Sequence, residues 1–190
     1  FDGEVQAGAG KALDGLQVDD RLTSKMTACL DLVESLVAQG KSVIMWCIFK
    51  RSIRNVVHGL HERGITARAI NGSTDMPTRA RVIDSFKAGE TSVLVTNPHT
   101  LAESVSLHGV CHDAVYFECS YNLVHLLQSK DRIHRLGLSQ EQYTQYHYLR
   151  AVYERRDGPW SLDRNIYERL QYKEQVMLDS IDRGTLEPGY

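Results

Sequence analysis

The stretch Ser42-Val-Ile-Met-Trp-Cys-Ile48 decides the fold class of this chain. It is a continuous apolar run of strand length, which is typical of a strand buried on both faces, as parallel sheets require. Just before it, apolar residues recur at helical spacing between Ser24, a candidate helix cap, and Gly40, which ends the pattern: Met26, Leu30, Val33 and Val37. The sequence therefore predicts a helix followed by a buried strand.

The same alternation of helix and strand continues along the chain. Further strands are predicted at residues 66–70, 92–96, 114–118 and 143–150, and further helices at 53–64, 75–89 and 122–135. Pro77 stands near the first turn of one of these helices, where proline is tolerated. Five short strands that alternate with helices imply right-handed crossovers and an α/β fold, with a parallel sheet covered by helices on both faces.

This pattern divides the chain into three parts. Residues 1–23 are a lead-in rich in Gly, Ala and Asp, residues 24–153 form the α/β lobe, and residues 154–190 form a helical extension. From Ser161 onward a long helix is predicted. Its apolar stripe consists of Ile166, Leu170, Met177 and Ile181. This stripe must pack either on this lobe or on another lobe.

Composition and charge exclude several classes of protein. The hydrophobic content of 42% is enough for a core, and the net charge of −2 excludes a globally basic nucleic-acid binder. Any phosphate contact must therefore come from a local patch. The chain has no signal peptide, no run of 18 apolar residues and no CxxC pair among its four cysteines. We expect no membrane partner, and a location in the cytoplasm, or in the nucleus if the source is a eukaryote. The start at Phe1 suggests that the chain is a piece of a longer protein.

The stretch that carries the chemistry is Gln128-Ser-Lys-Asp-Arg-Ile-His-Arg-Leu-Gly137. On a helix that ends near Gly137, Arg132 and Arg135 would project from one face, with Gln128 and Asp131 flanking them one turn earlier. Guanidinium groups stay charged and meet phosphate oxygens bidentately, which suits an anionic target of high charge density. From composition alone, a solvated helix face with Asp–Arg pairing is the simpler interpretation.

This stretch resembles the last helicase motif of the Swi/Snf-type ATPases of helicase superfamily two, commonly Q-A-x-D-R-x-H-R-I-G-Q. The resemblance implies the RecA-like C-terminal lobe, in which Arg132 and Arg135 are arginine fingers that reach ATP. It also implies that ATP and Mg²⁺ are held mainly by a first RecA-like lobe. Supporting residues at the ATP site would be Gln128, Asp131, Glu103 and Ser104. Leu138 departs from the family, which usually has Gln there.

The resemblance extends back through residues 24–150 in the correct order. The run from Val43 to Phe49 is similar to the family's motif IV strand, and Ile70-Asn-Gly-Ser-Thr74 is similar to its D-G-S-T stretch. In the family this edge of the sheet faces duplex DNA, which implies the following nucleic-acid contacts: Lys50, Arg51, Gly72, Ser73, Thr74, Thr96 and Asn97. Without the resemblance, Lys50, Arg51 and Arg54 are equally well explained as the charged first turn of a solvated helix.

Motif V is where the sequence departs most from the family. Pro98-His-Thr-Leu-Ala-Glu-Ser-Val-Ser-Leu107 stands in place of a glycine-rich turn. Without glycines the backbone approaches a phosphate less freely, although hydroxyl groups can still bind a phosphate or a ribose. The Ala-Glu-Ser-x-Ser-Leu form is more similar to divergent bacterial members of the family than to chromatin remodellers.

Two other patterns resemble a phosphate-binding loop and a zinc site, but each lacks part of the full motif. Gly8-Ala-Gly-Lys-Ala12 has the end of a P-loop, but Val5 and Ala12 stand where the full pattern needs Gly and Ser or Thr. Cys111 and His112 are adjacent near His108, whereas tetrahedral zinc sites usually come as separated ligand pairs. A packed loop is the better interpretation of residues 108–112.

The sequence therefore predicts the second motor lobe of an ATP-dependent double-stranded DNA translocase. Alone it should be inactive, because it lacks the lysine and the carboxylate that hold phosphate and metal. The alternative is a non-catalytic RecA-like module that binds a protein or a nucleic acid. The altered motif V favours that alternative, and the intact arginine pair argues against it. A stand-alone enzyme is disfavoured because no nucleophile or acid–base cluster is present.

Overall fold

The computed structural model describes residues 23–101, 106–134 and 143–182. Helices in these residues are α1 (Ser24–Ala38), α2 (Lys50–Glu62), α3 (Met76–Lys87), α4 (Leu123–Lys130) and α5 (Leu162–Asp182). Strands are β1 (Val43–Trp46), β2 (Ala67–Ile70), β3 (Val93–Thr96), β4 (Asp113–Tyr116), β5 (Gln145–Tyr148), β6 (Tyr153–Arg155) and β7 (Gly158–Trp160).

The first five strands form one parallel sheet in the order β2-β3-β1-β4-β5. β1 lies at its centre, with Val43 level with Val93 of β3 and with Asp113 of β4. Every residue of β1 is buried, because helices cover the strand on both sides. This confirms the parallel α/β fold expected from the alternation of strands and helices, which the motif resemblance identified as RecA-like.

Alternate residues of β1 enter two separate cores, one on each face of the sheet. Met45 packs with Val33 of α1 and Leu60 of α2. Trp46 points to the opposite face, because successive side chains of a strand alternate. There it joins residues from the other three helices: Phe86 of α3, Leu126 of α4 and Leu170 of α5. Helices on both faces were predicted, and this prediction is confirmed.

Local capping signals set two of the helix starts. The hydroxyl oxygen of Thr23, and not that of Ser24, caps α1 by accepting from the backbone N–H of Met26 at 3.2 Å. The Asp75 carboxylate caps α3 by accepting from the N–H of Thr78 at 2.8 Å, with Pro77 in the first turn as expected.

α4 is shorter than predicted, which changes the geometry of the arginine stretch. The sequence predicted a helix to residue 135, but α4 ends at Lys130 and residues 131–133 form a turn. The carbonyl of Arg132 accepts from the N–H of Leu107 at 2.8 Å, and Ile133 is fully buried. These two contacts turn the chain out of the helix, so Arg132 does not lie on the helical face that we expected.

The predicted C-terminal helix exists as α5, and its first half packs on this lobe. Ile166 and Leu170 are buried, whereas Met177 is half-buried and Ile181 is exposed. Ion pairs hold the helix at two points: Lys25 with Asp163 at 2.7 Å and Lys130 with Glu174 at 3.2 Å. Within the described part of the chain, no helix combines the length and apolar character that crossing a membrane requires.

A short antiparallel hairpin, β6–β7, precedes α5 and was not predicted. Its strands pair Tyr153 with Trp160, and Gly158 has a φ of 112°, a left-handed conformation that glycine adopts without strain. The guanidinium of Arg155 lies over the Trp160 ring at 4.0 Å. The loop between the two strands is Arg156-Asp157, because Gly158 already pairs with Arg155, and this dipeptide is not one of those that mark a hairpin in a sequence.

The start of α2 is capped from another part of the fold. Phe49, its N-cap residue, makes no side-chain cap. Instead the Glu118 carboxylate, which follows β4, accepts from the N–H of Ile48 at 2.9 Å and of Phe49 at 3.1 Å. It also accepts from the hydroxyl of Ser52 at 2.6 Å. The Glu118 carboxylate supplies the acceptor that the N–H groups at the helix start need, and its negative charge interacts favourably with the positive end of the helix dipole. These bonds fix the start of α2 to the end of β4.

Replacing Glu118 with alanine removes the acceptor for all three of these donors. We expect Glu118→Ala to lower the free energy of unfolding by about 1–3 kcal/mol, since partly buried donors are left unpaired. Denaturant titration measures this loss. Glu62→Ala, at the other and exposed end of α2, should change stability by less than about 0.5 kcal/mol. Equal effects of the two variants would contradict the capping role.

Candidate functional site

The loops that follow β1, β3 and β4 meet at the carboxyl edge of the sheet. Ligands of open α/β sheets bind along this edge. Asn97, which follows β3, joins two of the loops, because its side-chain amide donates to the carbonyl of Ile48 at 2.9 Å. Its side-chain oxygen accepts from the N–H of His99 at 2.9 Å. Asn97, a predicted contact, therefore lies at this edge with its amide group already engaged.

A cationic turn lies at the same edge, at the start of α2. Lys50 and Arg51 are exposed there, as is Arg54 one turn later. Their position depends on Glu118, which sequence reasoning missed. Its backbone partners lie 69 and 70 residues away, so no local capping pattern marks it. An acidic residue directly after a buried strand is the one signal that the sequence offers.

Residues 71–74 form a compact turn after β2. The Asn71 side-chain oxygen accepts from the N–H of Ser73 at 2.9 Å and from its hydroxyl at 2.6 Å. The N–H of Asn71 in turn donates to the Thr74 hydroxyl oxygen at 3.0 Å. Asn71 therefore forms the Asx turn that an aspartate would also form. Gly72 and Ser73 are exposed, and the space where a Cβ of Gly72 would lie is open.

Thr96 does not belong with these exposed residues. It is fully buried, and it pairs in the sheet with Trp46 on one side and Ile70 on the other. A side chain at the interior of the sheet does not reach a phosphate on the surface. The contact of Thr96 with nucleic acid therefore stays a prediction, and the proposed site does not depend on it.

The arginine stretch is described up to His134. Arg132 lies directly after α4, and its Nε donates to the carbonyl of Gln128 at 3.2 Å. Asp131 is the exposed C-cap residue of the helix. The structure thus brings Gln128 and Arg132 together at the end of α4, where a cation interacts favourably with the helix dipole. Three other predicted residues lie outside the described residues: Arg135, Glu103 and Ser104.

A buried hydrogen-bonded pair fixes α4 to the sheet. The Tyr116 and Ser129 hydroxyl groups lie 2.7 Å apart, and the Ser129 hydroxyl donates to the carbonyl of Leu126 at 2.7 Å. Burial raises the pKa of Tyr116 well above its usual range, so the phenol stays neutral. The Tyr148 ring stacks on the Tyr116 ring with centroids 4.7 Å apart. This packing gives Gln128 and Arg132 a rigid support.

The cysteines are packed as small apolar residues. Burial raises the pKa of Cys29, Cys111 and Cys119 to about 12, so these side chains remain thiols. The Cys111 thiol contacts the carbonyl of Ser42 at 3.3 Å, inside the fold. In residues 23–101, 106–134 and 143–182, no group of three or more His, Cys, Asp or Glu side chains is arranged to hold a metal ion.

The chemistry available at the carboxyl edge is that of anion binding. It presents ammonium and guanidinium groups at the start of α2, with the exposed residues Gly72 and Ser73 of the turn at the same edge. Such groups bind phosphates of a nucleic-acid backbone without reading the base sequence.

Comparisons with known proteins find relatives among helicases. The chain is 32% identical over 100 residues to the ATP-dependent RNA helicase DBP3 of Chaetomium globosum, covering 53% of this chain and 16% of the relative. It is 27% identical over 120 residues to the ATP-dependent helicase fft2 of Schizosaccharomyces pombe, covering 63% of this chain and 9% of the relative. The chain thus spans less than a fifth of either relative.

A solved structure shares the fold. The C-terminal part of the Fun30 ATPase domain superposes with a TM-score of 0.65 at 17% identity, covering 88% of this chain and 52% of that chain. The curated relatives include RNA helicases, so the Swi/Snf type and the bacterial subfamily stay predictions. The sequence pattern of the helicase conserved C-terminal domain matches residues 24–137, which include the whole of β1 to β4 and the whole arginine stretch. Since this match spans more than half of the chain, the chain belongs to the helicase conserved C-terminal domain family.

Proposed function

We propose that this helicase C-terminal lobe works opposite a first RecA-like lobe of the same protein, which holds ATP and Mg²⁺. The two lobes together would move along double-stranded DNA. The observation that carries the proposal is the gathering of Lys50, Arg51, the turn at residues 71–74 and Asn97 at one edge of the sheet. Closure of the lobes on ATP and their opening after hydrolysis would drive the movement.

The DNA contacts in this proposal go to the phosphate backbone. Lys50 and Arg51 stand in the first turn of α2, where the helix dipole adds to their positive charge. Gly72 and Ser73 are exposed, and Gly72 carries no side chain that would hold a phosphate away from the turn. The net charge of the chain is −2, so this local patch, and not an overall field, attracts the strand.

The ATP contacts in this proposal come from the arginine stretch and from motif V. Arg132 and Arg135 would offset the charge that develops on the transferred phosphoryl group, a role worth about 10³ to 10⁵ in rate in other nucleotide hydrolases. The anchoring of α4 by Tyr116 and Ser129 supports this role, since a finger must be held in place to act. Gln128, Asp131, Glu103 and Ser104 would support the nucleotide site.

RNA is the second candidate for the nucleic acid. The motif resemblance favours duplex DNA, whereas the relative DBP3 is described as an RNA helicase. Stimulation of ATP hydrolysis by matched DNA and RNA duplexes separates the two candidates. The ribose 2′-hydroxyl is the group by which a protein distinguishes them.

Arg135 tests the catalytic half of the proposal. In the full-length protein, we expect Arg135→Ala to lower nucleic-acid-stimulated ATP hydrolysis by about 10³-fold or more. DNA affinity should stay nearly unchanged, because a finger stabilises the transition state more than the ground state. Steady-state turnover and fluorescence anisotropy measure the two quantities. Arg68→Ala, an exposed arginine on the edge strand β2, is the control and should change neither. A parallel loss of affinity would make Arg135 a phosphate contact instead.

Lys50 and Arg51 test the binding half. We expect Lys50→Gln and Arg51→Gln each to weaken DNA binding similarly for all sequences. Each should also reduce the slope of log affinity against log salt by about 1, as one phosphate contact is lost. Lys87→Gln is the matched control, since this exposed lysine ends α3 near the opposite edge of the sheet. An unchanged slope in both α2 variants would remove α2 from the DNA path.

A further inference from the structure

Two clefts join into one surface beyond the proposed phosphate contacts. The first, of about 670 Å³, begins at Ile48 and Asn97 and passes the start of α4. The second, of about 580 Å³, continues along α5 past Arg169 and Tyr172. Tyr121 and Lys173 line both clefts, so the two are continuous. We call this region the α4–α5 surface.

Aromatic rings are accessible to solvent on the α4–α5 surface. Tyr121 is 47% exposed and Tyr172 is 72% exposed. In the first cleft the imidazole rings of His99 and His125 stack with centroids 5.4 Å apart and planes 15° apart. Flat π faces that are open to solvent are the groups on which nucleobases stack, whatever their sequence.

Two cations, Lys173 and Arg169, line the α4–α5 surface, and two nearby carboxylates of α5 are paired with other cations. The Glu168 carboxylate accepts from Nε of Arg164 at 2.7 Å, and Glu174 pairs with Lys130 at 3.2 Å. The Lys173 ammonium donates to the carbonyl of Tyr121 at 2.8 Å, which holds it at the rim that the two clefts share. Arg169 lines the second cleft and is exposed.

The α4–α5 surface also begins where the proposed DNA path ends. Asn97 and Ile48 line its first cleft, and Ile48 lies two residues before Lys50 at the start of α2. A strand whose phosphates contact Lys50 therefore leads directly into the first cleft. Its next nucleotides would meet Tyr121 and Lys173.

We propose that the α4–α5 surface is a second nucleic-acid contact of this lobe. Bases of an unpaired or fraying strand stack on Tyr121, and phosphates contact Lys173 and Arg169. This inference rests on the proposed function, since it extends the same nucleic-acid path. It adds a base-stacking contact that the phosphate contacts at the start of α2 do not supply.

The test uses the full-length protein and a fluorescent DNA duplex with a single-stranded tail, with anisotropy measured over a range of salt concentrations. We expect Tyr121→Ala to weaken binding about tenfold with no change in the salt slope, because stacking involves no ion release. Tyr121→Trp should retain the affinity. Lys173→Gln and Arg169→Gln should each reduce the salt slope by about 1.

Matched controls separate this surface from a general effect of mutation. Tyr153→Ala removes a tyrosine that is 57% exposed on the β6–β7 hairpin, outside the surface, and should leave binding unchanged. Lys87→Gln is the matched control for Lys173→Gln and Arg169→Gln, and it should leave the salt slope unchanged. Melting temperatures of all variants should agree within a few degrees, which excludes unfolding as the cause.

Three other outcomes would overturn the inference, and they show whether the proposed function fails with it. If Lys50→Gln weakens binding while the Tyr121, Lys173 and Arg169 variants do not, the α4–α5 surface is not a DNA contact and the proposed function stands. If these variants lower ATP hydrolysis without changing DNA affinity, the surface contacts a protein, such as the first lobe. If the full-length protein binds neither DNA nor RNA, the proposed function and this inference both fail.

Discussion

The carboxylate of Glu118 joins the parts of the molecule on which the proposed site depends. It follows β4, yet its oxygens accept from the backbone of Ile48 and Phe49, after β1, and from Ser52 in α2. A helix start without a side-chain cap leaves donors unpaired, and here a distant acid supplies the acceptor. The exposed cations Lys50 and Arg51 thereby keep a fixed position relative to the sheet.

A second constraint acts on α4, in the core on one face of the sheet. The Tyr116 phenol is buried in β4 and shares a hydrogen bond with Ser129, while Tyr148 of β5 stacks on its ring. Tyr167 of α5 packs on Tyr148 in turn, with centroids 4.6 Å apart. One column of aromatic side chains thus connects the sheet, α4 and α5. The arginine stretch and the α4–α5 surface therefore rest on the same rigid base.

The sequence predicts much of this fold, because β1 and the glycine-ended helices carry local signals. The cap at Asp75 with Pro77 beside it is local in the same way. The sequence-based predictions fail where contacts with residues distant in sequence determine the local structure. α4 ends early because the N–H of Leu107 bonds to the Arg132 carbonyl, and Glu118 caps a helix that begins far from it in sequence. At the site, Lys50, Arg51 and the turn at residues 71–74 lie at the expected edge, whereas Thr96 is buried because it sits between two neighbouring strands.

The central claim is that this lobe completes a nucleic-acid-dependent ATPase only together with a first lobe. The most direct measurement is ATP turnover by the 190-residue chain and by the full-length protein, side by side, with and without duplex DNA. We expect no turnover by the chain alone, and turnover by the full-length protein that rises when nucleic acid is added. If the chain alone hydrolyses ATP, and this activity follows it through purification and vanishes in Arg132→Ala, then the lobe does not need a first lobe to be active.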